Sequence, residues 1–284
     1  MSAGKRVLVT GANGQLGREL REVASAEWLF TDIEELDISN EDAVAEFVER
    51  NKIDAIINCA AYTNVDGAEM ESEVAERVNT TAVAILARVA RLYNARLVHI
   101  STDYVFGGES YDAPIKESAT TAPLGVYGRT KLLGESAIQE SGCDYVIIRT
   151  SWLYSTYGKN FVKTILRLAS ERDELRVVSD QVGSPTYARD LARVIAQICG
   201  NEAFGQGVYH YSNRGEISWY DFAQAIVDIG GKRCKITPCT TAEYGAKASR
   251  PAYSVLDTEK ICKHLGCEIP DWRLSLAECI KQML

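Results

Sequence analysis

The sequence predicts an α/β fold, in which a doubly wound parallel sheet carries a smaller C-terminal lobe. Two observations predict the sheet. Short apolar runs rich in β-branched residues recur through the first half of the chain, and stretches with helical periodicity separate them. Strands that are apolar on both faces and alternate with helices are typical of a parallel sheet covered by helices on both sides.

The elements of the first half are predicted from these runs in chain order. Strands are expected at residues 6–10, 28–30, 55–58, 97–101 and 145–149. Helices are expected at residues 15–24, after a capping box at 39–42, at 73–93 and at 127–140. We predict that residues 1–152 form the sheet domain.

The second half has a looser pattern. Helices are expected near residues 160–169, 187–198, 219–229 and 274–282, with a strand at 208–211. No joint rich in Pro, Gly and Ser separates the two halves. We therefore predict that residues 153–284 form mainly a smaller lobe, interleaved with the sheet domain and returning some segments to it.

Composition and charge exclude several classes of protein. The 284 residues include 31 basic and 39 acidic side chains, and the net charge of −8 opposes a broad electrostatic grip on nucleic acid or an anionic membrane. No run approaches the roughly 18 apolar residues that span a bilayer, and the start lacks a signal-peptide pattern. The eight cysteines have neither disulfide-scaffold nor zinc-ligand spacing. We expect a soluble, cytoplasmic protein with reduced thiols, no metal ligands, and no nucleic-acid or membrane partner.

Glycines follow the first strand at a spacing that favours a dinucleotide. Gly11, Gly14 and Gly17 lie between the first strand and the first helix. Because glycine has no Cβ atom, such a turn can be tight and can admit a pyrophosphate to the helix N-terminus, where free N–H groups favour an anion. The alternative is a βα turn without a ligand, but the placement between strand and helix favours the first interpretation.

Acidic residues after the second strand are candidates for the adenosine end of this cofactor. Asp32 follows the glycines at the position, roughly 20 residues on, from which a carboxylate binds the ribose hydroxyls and repels a 2′-phosphate. Asp37 and Ile38 could cover the adenine ring. Both aspartates could instead be turn and cap residues, and Arg18 could reach a 2′-phosphate. The sequence therefore leaves NADH and NADPH open.

The candidate catalytic group is a tyrosine and a lysine one helical turn apart. Tyr127 and Lys131 occupy positions i and i+4 of a predicted helix and so face the same side. A nearby ammonium stabilises phenolate, which predicts a lowered tyrosine pKa and a better proton donor at neutral pH. Thr102 adds a hydroxyl at the carboxyl end of the fourth strand, where open α/β sheets bind ligands. The three predict an oxyanion and proton-relay site; the alternative is a surface tyrosine beside a solvated lysine.

Six blocks of sequence, in a fixed order, resemble a known family. They are residues 8–17, 58–66, 101–106, 127–131, 149–152 and 180–186, with Arg250 and Pro251 near the end. Together they resemble the extended short-chain dehydrogenase/reductase superfamily and, within it, the family of dTDP-4-dehydrorhamnose reductases. The resemblance covers nearly the whole chain and implies a Rossmann-type fold.

The resemblance also implies a role for particular residues. Tyr127 is the expected proton donor, Lys131 the residue that orients the nicotinamide ribose, and Thr102 the hydroxyl that holds the substrate oxygen. The cofactor, NADH or NADPH, is expected on Gly11, Asn13, Gly14, Gln15, Leu16, Gly17, Asp32, Asp37, Ile38, Ala60, Ala61, Tyr62, Tyr127 and Lys131. The sugar nucleotide is expected on Thr102, Asp103, Tyr104, Trp152 and Arg250. Trp152 could instead be a core aromatic. Arg250, our candidate for the substrate diphosphate, could instead form a salt bridge.

The implied reaction is reduction of the C4 ketone of dTDP-4-dehydro-β-L-rhamnose, which gives dTDP-β-L-rhamnose. One alternative is another nucleotide-sugar reductase, an epimerase or a dehydratase of the superfamily. A dehydratase is disfavoured because Asp103 and Tyr104, and not an Asp-Glu pair, follow Thr102. Another alternative is a non-catalytic subunit similar to the regulatory β subunit of methionine adenosyltransferase. A monomer or homodimer is expected, and a structural Mg²⁺ at a subunit contact is left open.

Overall fold

The centre of the computed structural model, which describes residues 5–245 and 248–283, is a sheet with six parallel strands within those ranges. The strands are β1 (Val7–Thr10), β2 (Trp28–Thr31), β3 (Ala55–Asn58), β4 (Arg96–Thr102), β5 (Tyr145–Thr150) and β10 (Gly207–His210). They lie in the order β2, β1, β3, β4, β5, β10, and each neighbouring pair is parallel. The predicted doubly wound α/β fold is confirmed.

Helices cover both faces because alternate residues of the strands are apolar on each side. Val7 and Val9 belong to one buried cluster and Leu8 to the cluster on the other face. The helices of the first half are α1 (Gln15–Arg21), α2 (Glu41–Asn51), α3 (Val65–Ala68), α4 (Ser72–Glu76), α5 (Ala82–Leu92) and α6 (Val126–Ser141). No helix among the described residues is long and apolar enough to cross a membrane.

The helix expected over residues 73–93 is present as a continuous helical segment from Ser72 to Leu92, but it is not α-helical throughout. A π-helical turn, Arg77–Thr81, joins α4 to α5. Asn79 in this turn is buried, and its amide oxygen accepts from the Tyr62 N–H at 2.9 Å. Its amide nitrogen donates to the Tyr62 carbonyl at 3.1 Å and to the Thr130 hydroxyl at 3.2 Å. These partners are distant in sequence, so helical periodicity could not predict the turn.

The second half contains a separate small core and further segments that pack with the sheet. Its remaining strands are β6 (Leu153–Tyr154), β7 (Glu174–Val178), β8 (Val182–Gly183), β9 (Thr186–Tyr187), β11 (Ile217–Ser218) and β12 (Lys235–Cys239). Its helices are α7 (Phe161–Glu171), α8 (Ala188–Gly200), α9 (Trp219–Ile229), α10 (Thr241–Tyr244), α11 (Glu259–Leu265) and α12 (Trp272–Met283). Strand β10 extends the central sheet, and α8 packs on α1. The division at residue 152 stays a prediction.

The order of the strands fixes where a ligand can bind. From β1 the chain proceeds to β2 on one side, whereas β3, β4 and β5 lie on the other side. The connections therefore diverge between β1 and β3, which opens a crevice at the carboxyl ends of the strands.

Candidate active site

A groove lies in this crevice, over the carboxyl ends of the strands. It consists of two cavities of about 420 and 550 Å³ that share Gly11, Gly14, Cys59 and Ala61 in their walls. Most of the predicted cofactor residues line one or both: Gly11, Gly14, Gln15, Leu16, Gly17, Asp32, Asp37, Ile38, Ala60, Ala61, Tyr127 and Lys131. Asn13 and Tyr62 are not wall residues of these two cavities, and their contact with a cofactor stays a prediction.

The glycine turn is held by close backbone packing. Gly11 has a φ of +65°, and a Cβ atom there would lie 2.6 Å from the Ala60 nitrogen. A Cβ atom on Gly17 would lie 2.5 Å from the Gly11 carbonyl oxygen. Gly14 precedes α1 and provides no side-chain cap. Glycine at position 11 lets the turn pack against the segment that follows β3, and glycine at position 17 lets α1 pack against the turn.

The smaller cavity has acidic walls. The Asp32 carboxylate accepts from the Asn13 N–H at 2.8 Å, which ties the glycine turn to the end of β2. The Asp37 carboxylate accepts from the Ser39 hydroxyl at 2.7 Å and from the Ser39 N–H at 2.9 Å, and these bonds hold the pKa of Asp37 below its ordinary value. Two carboxylates at this end of the groove suit the hydroxyls of an adenosine ribose.

Arg77, and not Arg18, lines the smaller cavity, and contact of Arg18 with a 2′-phosphate stays a prediction. Arg18 donates to the Asn13 carbonyl at 3.1 Å and is not a wall residue of the cavity. Arg77, which the sequence did not single out, lies in the wall because the π-helical turn begins there. No local sequence pattern predicts the position of Arg77, because the π-helical turn depends on the hydrogen bonds that Asn79 makes in the tertiary structure.

The larger cavity brings the predicted catalytic residues together. Thr102, Tyr127 and Lys131 all line it. Burial raises the pKa of Tyr127 to about 12, although the nearby Thr102 hydroxyl opposes the rise. The expected lowering by Lys131 was therefore wrong for this arrangement: desolvation of the phenolate dominates. The buried phenol is fully protonated at neutral pH and can serve as a proton donor.

The Lys131 side chain lines the groove, and its Nζ atom contacts the sheet. Its Nζ donates to the Ile100 carbonyl at 2.7 Å and lies 3.2 Å from Nε2 of His99. Burial lowers the pKa of Lys131 to about 8. The i, i+4 spacing correctly predicted the shared face of Lys131 and Tyr127, but the ammonium is directed toward β4.

The predicted sugar contacts Asp103 and Tyr104 follow Thr102 in a single turn of 3-10 helix and line the same cavity. The Thr102 hydroxyl donates to the Asp103 carboxylate at 3.1 Å. Burial raises the pKa of Asp103 to about 6. The Tyr104 ring packs edge-on against Tyr127, with 5.5 Å between the ring centroids. A carboxylate, a phenol and a hydroxyl thus surround the proton donor and can bind sugar hydroxyls.

Two tryptophans line the larger cavity together with the glycine turn. Trp152 has a φ of +46°, a conformation that a bulky residue rarely adopts. Its ring stacks on Trp219 with 3.6 Å between centroids and 12° between planes. Both rings line the larger cavity, so Trp152 is a wall residue as well as a packed aromatic. Trp219 begins α9 directly after its Ser218 cap and was missed, because nothing in its local sequence indicates where the ring lies.

Arg250 forms the salt bridge that the sequence left as an alternative. Its guanidinium donates to the Asp66 carboxylate at 2.9 Å and to the Ala248 carbonyl at 3.0 Å. Its charge also acts on the phenol of Tyr104, a wall residue of the larger cavity, and opposes the rise of the Tyr104 pKa that burial causes. Arg250 itself lines a neighbouring cavity of about 310 Å³, which shares Trp219 with the larger one. Its predicted contact with a substrate diphosphate stays a prediction.

Comparisons with known proteins identify a family and relatives that this chain resembles over nearly its full length. The chain matches the family described as RmlD substrate binding domain over residues 5–284. It is 40% identical to the dTDP-4-dehydrorhamnose reductase of Burkholderia thailandensis, over 98% of this chain and 99% of the relative. A crystal structure of a dTDP-4-dehydrorhamnose reductase from Clostridium acetobutylicum has a TM-score of 0.93 and 42% identity, covering 98% of this chain and 99% of that chain. The Bacillus anthracis dTDP-4-dehydrorhamnose reductase, crystallised in complex with NADP, also has a TM-score of 0.93, with 40% identity over 99% of this chain and all of that chain.

Proposed function

The chain belongs to the RmlD substrate binding domain family, and we infer that it is an NAD(P)H-dependent dTDP-4-dehydrorhamnose reductase. It reduces the C4 keto group of dTDP-4-dehydro-β-L-rhamnose to give dTDP-β-L-rhamnose. The observation that carries this conclusion is the placement of Thr102, Tyr127 and Lys131 in one groove with the glycine turn, in a chain that matches these reductases over nearly its full length.

The groove fits a dinucleotide. The glycine turn at Gly11 and Gly17 forms a cradle that Cβ atoms would fill, and the acidic walls at Asp32 and Asp37 suit ribose hydroxyls. We propose that these residues hold the cofactor, and that Lys131 orients its nicotinamide ribose. When bound, the reduced dinucleotide supplies the hydride.

The side chains around Tyr127 handle the proton. We propose that the Thr102 hydroxyl donates to the C4 oxygen and holds it beside the phenol. As negative charge grows on that oxygen, Tyr127 transfers its proton to it. The charged form of Lys131 then stabilises the tyrosinate until it is reprotonated. Trp152 and Trp219 cover the sugar and exclude water from the reacting atoms.

The test of this function is an assay in which the substrate is made in place. We expect the enzyme to oxidise NADH or NADPH, which is followed at the nicotinamide absorbance. This oxidation should require the 4-keto sugar nucleotide and should yield dTDP-β-L-rhamnose, identified by mass and NMR. Folded protein that binds dinucleotide but oxidises neither cofactor with this sugar would contradict the proposal. Protein that carries tightly bound NAD and needs no reductant would indicate an epimerase or dehydratase.

For the oligomeric state of the enzyme we propose a monomer or homodimer. Light scattering of the same preparation measures its molecular mass in solution.

Arg250 provides a sharper test of the substrate side. Because its guanidinium can turn two N–H groups toward a diphosphate beside Tyr104, we expect Arg250→Ala to raise the KM for the sugar nucleotide roughly 10–100-fold, the range for a lost hydrogen bond to a charged group. The affinity for dinucleotide, measured by fluorescence titration, should not change. Arg167→Ala, which removes an exposed pair with Glu171 on α7, is the matched control. An unchanged KM in Arg250→Ala would assign this arginine to the Asp66 salt bridge alone.

A further inference from the structure

A chain of buried polar side chains runs beneath the groove from β1 to α6. The Thr10 hydroxyl donates to Oδ1 of Asn58 at 2.7 Å, and Nδ2 of Asn58 lies 3.0 Å from Nδ1 of His99. Nε2 of His99 lies 3.2 Å from Nζ of Lys131. Each of the four side chains is buried, His99 completely. Of these four residues, Lys131 is the one that lines the groove, and His99 contacts it directly.

The orientation of the Asn58 amide fixes the direction of the hydrogen bonds among these four side chains. The backbone N–H of Ala60, which can only donate, lies 3.1 Å from the Asn58 atom that also accepts from Thr10. That atom must therefore be the carbonyl oxygen of the Asn58 amide. The NH₂ group then faces His99 and donates to Nδ1. As an acceptor, Nδ1 of His99 carries no proton.

The protonation of His99 in turn constrains Lys131. Burial lowers the pKa of His99 well below its ordinary value, so the ring is neutral and its single proton lies on Nε2. An ammonium has no acceptor, so a charged Lys131 would place two donors against each other at 3.2 Å. A neutral amine accepts from Nε2–H of His99 and still donates to the Ile100 carbonyl at 2.7 Å. The arrangement is fully satisfied only with the amine.

We propose that His99, held by Asn58 with its proton on Nε2, donates to Lys131 and favours the neutral amine of that lysine over the ammonium. His99 is thus a positioning residue that acts through Lys131. Because the proposed function needs the ammonium to stabilise the Tyr127 phenolate, the inference for turnover rests on that function. His99 then sets the upper pH limit of the reaction.

Other titratable groups near Lys131 also influence the balance between its ammonium and its neutral amine. Glu135, one turn further along α6, favours the ammonium, but its carboxylate is engaged by Arg149 at 2.6 Å and by Ser101 at 2.5 Å. The Cys59 thiol, after β3, is neutral because burial raises its pKa far above the ordinary range. On the groove side, Tyr127 is a protonated phenol, and beyond it lies Asp103. Burial outweighs the pull of Glu135 and lowers the pKa of Lys131 to about 8.

The sign of the pH dependence follows directly. Lys131 is charged below its pKa of about 8 and neutral above it, so kcat/KM should fall as the pH rises through that value. In His99→Gln the side-chain amide can turn its oxygen to the ammonium. We expect the alkaline fall in the plot of kcat/KM against pH to move up by about one pH unit. This shift equals a tenfold gain in the proton affinity of Lys131. Thr10→Val is the matched control: Ala60 still fixes the Asn58 amide, so the alkaline fall should stay in place.

A measurement on the unsubstituted enzyme tests the same proposal without turnover or variants. Only three histidines are present, so two-dimensional ¹⁵N NMR of histidine-labelled protein can resolve His99. We expect a neutral ring with the proton on Nε2. A proton on Nδ1, or a charged ring, would overturn the proposal. Titration of ¹³Cε-labelled lysine, with Lys131→Met to identify the signal, should show the upward pKa shift in His99→Gln and none in Thr10→Val. If the spectra give these expected results but the enzyme does not reduce the 4-keto sugar nucleotide, the proposed function is wrong while the proposal for His99 stands.

Discussion

Tyr127→Phe is expected to lower kcat for the sugar by roughly 10²–10⁴-fold, the range for loss of a general acid. The substitution removes only the hydroxyl, and the ring can keep its edge-on contact with Tyr104 at 5.5 Å. Burial keeps the wild-type phenol protonated, so its loss removes the proton donor placed beside the C4 oxygen. Steady-state kinetics with saturating cofactor measure the effect.

The control for this substitution is a second buried tyrosine. Tyr209→Phe removes a hydroxyl that donates to the Gly205 carbonyl at 2.8 Å, and Tyr209 lines neither cavity of the groove. Its turnover should stay near that of the unsubstituted enzyme. Dinucleotide binding should be retained in both variants. Near-native turnover in folded Tyr127→Phe would rule out the assigned role of the phenol.

Glu135→Gln is expected to lower the free energy of unfolding by about 3–5 kcal/mol, because it leaves a buried charge without its partner. The Glu135 carboxylate receives two N–H groups of Arg149, at 2.6 and 3.0 Å, and the Ser101 hydroxyl at 2.5 Å. The side chains of Arg149 and Glu135 are only 5% and 1% exposed, so water cannot replace the lost bonds. Urea unfolding followed by circular dichroism measures the loss.

An exposed pair of the same length is the matched control. Arg88 and Glu41 also approach to 2.6 Å, but their side chains are 53% and 48% exposed. Glu41→Gln should therefore cost no more than about 1 kcal/mol. A loss in Glu135→Gln as small as that in Glu41→Gln would mean that burial does not govern the contribution of the Glu135 pair. Replacing both partners, in Glu135→Leu with Arg149→Met, should recover part of the stability.

Local sequence predicted the strands of the central sheet, whereas some other elements were missed for identifiable reasons. The strands follow short apolar runs rich in β-branched residues, and the helices follow stretches with helical periodicity. The π-helical turn at Arg77–Thr81 was missed because Asn79 bonds to Tyr62 and Thr130. Strand β7 was missed because it is short and pairs with β12, some sixty residues on. Both exceptions depend on partners that no local window contains.

For the site, the sequence determined which residues meet and the tertiary structure decided their charge. The spacing of Tyr127 and Lys131 on one helix fixed their common face, and the glycine spacing fixed the turn, because both are local geometry. Burial decided the protonation of both residues, and for Lys131 the proposed contribution comes from His99 on β4, which contacts Asn58 on β3. Desolvation depends on everything that surrounds a group, and the direction of a hydrogen bond depends on its distant partner. The motif therefore predicted a lowered pKa for Tyr127, whereas the packed structure raises it and lowers the pKa of Lys131 instead.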